Sequence, residues 1–450
     1  MKLKNAVSIA LLVLNILALW MPLSWRAVVI IITTMVLFSM EITSPVASSL
    51  IILVLLLMYF PAVNLHDMFS GFRSPVIFFL LATTIMGTAL SRSSIAMLLY
   101  KFLSSWLARR LPAFLLVVLI MFPMALLIPS SITRNAMLYP VLKNFMDLEE
   151  MKKEARDILL VLGMLNPLAS SAFLTGGLAP MISSDLLGGF NWWQWFILMG
   201  IPYLTLILAG VIYLLIRCQK EEAAKGYETF CKEFKVKKIS FAKDDYILIG
   251  IMTLVMLLWA TDFWHNFHPV VPALLGLVLI LIFHAPTKWS EVQQSNALDN
   301  MIILGVLFSL ISIVERHGFI DQFSQYVAEH FPRYMPVQSS LMVIIVLTAV
   351  FHLFIPNISA CLTILVPLFF KISSLVGINP IVVGLIVTMT VDTLNFYPAQ
   401  STPLLMVYDG TYLKSGDILK FGVGMSLIFI FILFLIILPY WNLLGLTLRV

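Results

Sequence analysis

The sequence predicts an all-α integral membrane protein of about 11 transmembrane helices, with two re-entrant hairpins and two broken helices in an inverted-topology repeat. Three observations predict it. Of 450 residues, 61% are hydrophobic and 11% charged, against roughly 45–50% and about 25% in ordinary soluble domains. Mean hydropathy is +1.00, and apolar runs near the roughly 18 to 20 residues that cross a bilayer recur along the chain. Prolines also recur at a fixed offset between the two halves. This composition excludes secreted, DNA-binding and cytosolic-enzyme classes, because no water-soluble globule hides that much apolar surface. Cys218, Cys231 and Cys361 are too scattered for a disulfide framework or a CxxC metal site. The net charge of +5 is assigned to cytoplasmic loops, not to nucleic acid.

The elements follow in order. Residues 1–26 hold an N-terminal helix from Ala6; Trp20-Met21-Pro22 lacks a small-x-small cleavage site, so it reads as a retained span. The first repeat, 27–217, opens with spans at Ala27–Thr43, Pro45–Phe60 and Pro75–Ser91 and a basic amphipathic stretch, Arg92–Arg110, of the kind that lies in an interface. The segment 112–142 is apolar at both ends but interrupted by Pro123, Pro129 and the polar run Ser130–Asn135. Backbone without intrahelical hydrogen bonds survives at membrane depth only where protein or a water-filled cavity satisfies it, so the segment reads as a re-entrant hairpin. The span 158–187, interrupted by Thr175-Gly176-Gly177 and Pro180, is a first broken helix, and Trp193–Ile216 spans again. A Lys-rich cytoplasmic linker, 218–245, divides the chain. The second repeat, 246–450, has spans at Tyr246–Thr261, Pro269–Ala285 and Met301–Val314 and an amphipathic stretch Glu315–Arg333. A hairpin at 337–371 broken at Pro356–Ser359, a helix at 380–413 broken at Pro398–Pro403, and a last span Ile418–Leu438 complete it.

The repeat can be counted: 272 less 45, 356 less 129 and 367 less 140 all give 227, with a proline at every one of these positions. Pro180 and Pro403 differ by 223, which requires an indel of four residues. Each repeat holds an odd number of crossings, so the copies sit in opposite orientations. With the N-terminus cytoplasmic, the basic stretches fall inside and the C-terminus, after Pro439, lies outside the cell membrane. Four breaks at repeated positions present helix N-terminal N–H groups, suited to anions, and unwound carbonyls and hydroxyls, suited to small cations. Ordinary proline kinks are the competing explanation for any one break.

These residues resemble the divalent anion:sodium symporter family, whose members carry dicarboxylates, citrate or sulfate. The string Pro403-Leu404-Leu405-Met406-Val407-Tyr408-Asp409-Gly410-Thr411-Tyr412-Leu413-Lys414-Ser415-Gly416-Asp417 is similar to the one after the family's second broken helix, with further matches at His268–Leu279 and Ser170–Thr175. The resemblance implies a cation site from Ser130, Ser131, Gly176 and Gly177, a second from Asn357, Gln400 and Ser401, and substrate contacts from Ser131, Thr133, Arg134, Asn357, Ser359 and Thr402. The family's S-N-T signatures have drifted to Ser130-Ser131-Ile132 and Asn357-Ile358-Ser359, and Met181 and Leu404 stand where the family has asparagine.

Arg134 is a charge at a hairpin tip, positioned to bind a carboxylate with two hydrogen bonds, to snorkel, or to pair with Asp185. Asp392 is a second intramembrane charge, a proton site or the partner of a buried donor. The histidines show no paired ligand spacing, Gly87, Gly163 and Gly305 read as helix packing points, and Trp192, Trp193 and Trp195 as an interfacial aromatic belt. The expectation is a secondary transporter, not an enzyme, with no cofactor beyond sodium as coupling ion. It would move a small di- or tricarboxylate or sulfate-like anion by alternating access, as a homodimer in the bilayer. A sodium-independent exchanger or proton-coupled carrier on the same fold is the alternative, with a membrane enzyme less favoured.

Overall fold

The computed structural model describes residues 2–40, 42–94, 113–146, 152–217, 242–283, 297–330, 335–355 and 357–449. The basic stretch expected at Arg92–Arg110 and the linker expected at 218–245 lie almost wholly outside them. Among the described residues the chain is helical, with one isolated bridge between Ile378 and Arg449. Five helices are long and apolar enough to cross a bilayer, and seven more apolar helices are shorter, so the protein is a multi-pass membrane protein.

Helix starts follow from local chemistry. The first helices are α1 (Lys2–Ala18) and α2 (Leu23–Met40). Then α3 (Pro45–Tyr59) is capped by Ser44, whose hydroxyl accepts from the Ala47 N–H, with proline as its first residue. The same device opens α5 (Pro75–Ser91), which follows the short α4 (Leu65–Met68) and a 3₁₀ turn, Ser70–Arg73. Here Ser74 is the cap.

The 3₁₀ turn is pressed onto the second half of the chain. A Cβ on Gly71 would fall 2.3 Å from both the Gly305 carbonyl oxygen and the Ser309 nitrogen, so only glycine fits. Both lie on α16 (Ala297–Arg316). The Gly71 N–H donates to Ser309 Oγ at 3.0 Å. At the same end Arg316 bonds Asp67 at 2.8 Å and holds its carboxyl below the usual carboxylate range. One packed group therefore forms from α3 and α5 of the first half and α13 (Lys243–Ala260), α15 (Val270–Phe283) and α16 of the second, with the short α14 (Asp262–His265) between.

The interrupted segments form the other group. In the first half, α6 (Ala113–Leu127) and α7 (Ser131–Met146) are separated at Ile128–Ser130. In the second, α18 (Val337–Phe354) and α19 (Ile358–Leu375) are separated at Ile355–Asn357, after the amphipathic α17 (Phe319–His330). Both gaps read Ile-Pro followed by a small polar residue. Two details differ from expectation. Pro123 lies inside α6 without breaking it, since neighbouring helices in a bundle re-satisfy the freed carbonyl. The polar run Ser131–Asn135 forms the start of α7, because Ser130 accepts the Thr133 N–H on its hydroxyl and the Arg134 N–H on its carbonyl.

The first broken helix comprises α8 (Lys152–Leu160), a π-helical stretch at Val161–Leu165, α9 (Asn166–Ser171) and, after a gap, α10 (Leu178–Leu186). It leads through α11 (Trp192–Trp195) to α12 (Ile201–Arg217). The second comprises α20 (Pro380–Thr393), an unwound run holding a 3₁₀ turn at Pro398–Gln400, and α21 (Thr402–Val407). Unwinding begins at Leu394, four residues before the Pro398 expected to start it. Helices α22 (Ser415–Ile432) and α23 (Leu438–Leu443) close the fold.

Trp192, Trp193 and Trp195 are not a belt. Trp195 is fully buried and Trp192 7% exposed, leaving only Trp193 at the surface. The buried indoles are spent on the first gap: Trp195 Nε1 donates to the Ser171 carbonyl at 3.0 Å and Trp192 Nε1 to Thr175 Oγ1 at 3.1 Å.

Gly71→Ala is expected to destabilise the protein by about 2 kcal/mol, the range of overpacked cores. Ser309→Ala, which removes one hydrogen bond, is expected to cost about 1 kcal/mol. Thermal melting in detergent reads both, and an unchanged midpoint for Gly71→Ala would show that the turn is not seated on α16.

Candidate functional site

The site is assembled where the gaps meet, and each hairpin-like pair touches both broken helices. Within its own half, α6–α7 bonds α9 through Arg134. Across the halves, α7 packs on α21, and Asn135 Nδ2 donates to the Pro403 carbonyl at 3.0 Å. The second half mirrors this. Gln400 Nε2 reaches the His352 carbonyl on α18 at 3.3 Å, and α19 and α20 pack on α10, where Thr388 Oγ1 donates to Ser183 Oγ at 2.7 Å.

The first gap is organised by Arg134, which is 0% exposed. Its Nε donates to Asn166 Oδ1 (2.8 Å), one terminal nitrogen to the Ile128 carbonyl (2.7 Å), and the other to the Asn166 carbonyl (3.0 Å) and Ser170 Oγ. It neither snorkels nor pairs with Asp185, whose carboxylate accepts from Ser74 Oγ at 3.1 Å. Asn166 Nδ2 continues the network to the Ser131 carbonyl (3.1 Å) and Asn135 Oδ1 (2.7 Å). The guanidinium thus sits in a cage of neutral oxygens, one from the gap at Ile128 and the others from α9, of a kind that also suits a small cation. Gly176 belongs here for a steric reason: its Cβ would lie 2.2 Å from the Ser170 carbonyl. Gly177, extended at φ −176°, directly precedes α10. Gly87 packs against Thr133, where an added Cβ would meet Oγ1 at 3.0 Å, and Gly163 packs against Leu404.

At the second gap Asn357 caps α19, its Oδ1 accepting from the Ala360 N–H at 2.9 Å. Gln400, fully buried, turns its Oε1 to the N–H groups of Phe396 and Tyr397 and so satisfies the unwound backbone. Ser401 is 1% exposed, and among the described residues its hydroxyl has no hydrogen-bond partner. His352 donates from Nδ1 to the Ile355 carbonyl at 3.0 Å, which fixes its tautomer.

The residues proposed from sequence therefore separate by accessibility. Ser130, Ser131, Thr133 and Asn357 are half-buried and Thr402 is exposed, whereas Arg134, Ser359, Gln400 and Ser401 are enclosed. Sequence reasoning missed Asn135, Asn166 and Gln400's role as a backbone cap. Asn166 carried a visible signal, an amide followed by proline inside an apolar span, but nothing in the spacing linked it to Arg134 across 32 residues.

Asn166→Ala would leave the Arg134 Nε and the Asn135 Oδ1 without their Asn166 side-chain partner in a dry site. The expected cost is about 3 kcal/mol, while Thr402→Ala, on an exposed side chain, is expected to stay within about 0.5 kcal/mol. Comparable melting points for the two variants would contradict the network.

Comparison with known proteins agrees with this architecture. The chain is 21% identical over 394 residues to the citrate/succinate antiporter of Escherichia coli K12, covering 83% of this chain and 80% of that one. It is 23% identical over 403 residues to the L-tartrate/succinate antiporter of the same organism, with the same coverage. Among solved structures, Neisseria gonorrhoeae MtrF, described with a class of antimetabolite efflux pumps, shares the fold at a TM-score of 0.51 and 15% identity, over 88% of this chain and 95% of that one. Residues 3–447, almost the whole chain, match the sodium:sulfate symporter transmembrane region, and the chain belongs to that family of membrane transporters, not to the enzymes.

Proposed function

We propose that the protein is an exchanger of small di- and tricarboxylate anions that works by alternating access through the gaps. The observation that carries the reading is the Arg134 cage. A fixed guanidinium stands beside the first gap, bonded among the described residues only to neutral oxygens of Ile128, Asn166 and Ser170. Its charge, together with the N-terminal ends of α7, α10, α19 and α21 at the gaps, favours an anion. Ser131, Thr133, Asn357 and Thr402, which keep accessible surface, are the groups that would touch the anion; Arg134 and Ser359 act from behind them. The antiporter relatives support exchange.

The constant offset of the Ile-Pro gaps supports two re-entrant hairpins in an inverted repeat. In this reading the hairpins and broken helices move together against the α3, α5, α13, α15 and α16 group, which would also form the homodimer contact. The domain bounds 27–217 and 246–450, a cytoplasmic N-terminus and an outer C-terminus belong to the same proposal.

Sodium coupling is the second reading. It is favoured by the family's sodium:sulfate description and by the Ser401 hydroxyl, buried next to Gln400 and without a hydrogen-bond partner among the described residues. In it Asn357, Gln400 and Ser401 hold sodium, while Ser130, Ser131, Gly176 and Gly177 form a first site whose charge Arg134 supplies.

Uptake of labelled succinate into proteoliposomes separates the two. Exchange predicts uptake only with internal dicarboxylate present, unchanged when potassium replaces sodium. Ser131→Ala and Asn357→Ala are each expected to lower the rate about tenfold, the loss of one anion hydrogen bond. Uptake into anion-free vesicles driven by a sodium gradient would overturn exchange in favour of symport.

A further inference from the structure

The transport reading leaves one buried ionisable group without a role. Asp392, in the last turn of α20, is 2% exposed. Its Oδ2 accepts from the Tyr203 hydroxyl of α12 at 2.6 Å, and the Ser171 side chain of α9 lies beside the same carboxyl. Among the described residues no lysine or arginine pairs with it.

An ionised carboxylate kept permanently in so dry a place normally has a cationic partner. Here the hydrogen-bond partner is the Tyr203 hydroxyl, which can donate to a carboxylate or accept from a carboxylic acid. Rotating its O–H bond therefore accommodates either state without moving a heavy atom. Position adds a second point. Ser171 follows Ser170, whose hydroxyl takes the Arg134 bond, so one helix end touches both buried charges. Arg134 is permanently positive, and a proton gained or lost at Asp392 changes the charge of this body by one unit. One unit is also the charge difference between a fully ionised tricarboxylate and a dicarboxylate.

The other titratable groups on helices packed against α20 include His352, Cys361, Lys371, Asp185, Asp417 and Lys420. His352 of α18 donates from Nδ1 to the Ile355 carbonyl, and Asn395 Nδ2 donates to the Asp392 carbonyl. Cys361 of α19 is a buried free thiol, and Lys371 of α19 pairs with Asp321 at 2.8 Å. Asp185 of α10 accepts from Ser74, and Asp417 of α22 accepts from the Lys414 N–H at the start of its helix.

We propose that Asp392 is a proton-binding site that loads together with the more highly charged anion and empties when the less charged one is carried. Exchange of a tricarboxylate for a dicarboxylate then moves no net charge. The inference rests on the exchange reading above.

The test uses the full-length protein in proteoliposomes loaded with succinate and a pH-sensitive dye, with citrate added outside. Wild type is expected to acidify the interior by one proton per citrate entering, at a rate unaffected by a potassium–valinomycin potential. Asp392→Asn should retain succinate–succinate exchange, lose the proton signal and make citrate–succinate exchange voltage-sensitive. Tyr203→Phe should keep the coupling but move the pH of half-maximal exchange, which covers the case in which Asp392→Asn does not fold. Voltage-sensitive exchange without proton movement in wild type would overturn the proposal. So would a proton signal that survives Asp392→Asn, which would place the proton on the citrate itself. Absence of succinate–succinate exchange in wild type would instead overturn the exchange reading, and the proton site with it.

Discussion

The structure depends on satisfying backbone that is unwound inside a bilayer. Water is not there to bond freed N–H and C=O groups, and each unsatisfied one costs several kcal/mol. Every gap is met by a dedicated side chain. Arg134 takes the Ile128 and Asn166 carbonyls, Trp195 takes the Ser171 carbonyl, Gln400 takes the Phe396 and Tyr397 N–H groups, and Asn357 caps α19.

The same side chains tie the halves to one another. Asn135 reaches from the first gap to Pro403 beside the second, and Ser183 meets Thr388 on the opposite diagonal. Close steric fits fix the spacing: Leu187 fills the space over Gly384, and the Asn395 carbonyl lies where a Cβ on Gly422 would be. The scaffold group has its own ties, from the Gly71 turn on α16 to the Arg316–Asp67 pair. Two internally bonded groups result, each drawn from both halves of the chain.

Electrostatics inside this arrangement is unusual in that Arg134 and Asp392 are solvated by separate sets of neutral dipoles. Carbonyl oxygens and the Ser170 hydroxyl surround the cation, and the Tyr203 hydroxyl meets the carboxyl. A direct ion pair would neutralise both; instead the two charges stay apart, on either side of the Ser170–Ser171 step.

The apolar runs, the proline offset and the small polar residues after each Ile-Pro were enough to place nearly every helix and all four interruptions, because bilayer thickness and proline's missing N–H act locally along the chain. Family membership was legible for the same reason, in Pro403–Asp417 and its neighbours. What needed the tertiary structure was every assignment that depends on a partner distant in sequence. Arg134 could be read as a substrate ligand, a snorkelling residue or a partner of Asp185 until Asn166 and Ser170 were seen around it. The aromatic run Trp192–Trp195 could be read as a surface belt until its indoles were found bonding the first gap. Asp392 had a buried donor, as one of its two readings required, but Tyr203 lies 189 residues away. Periodicity reports which face of a helix is apolar; which polar group meets which is settled only by how the helices cross.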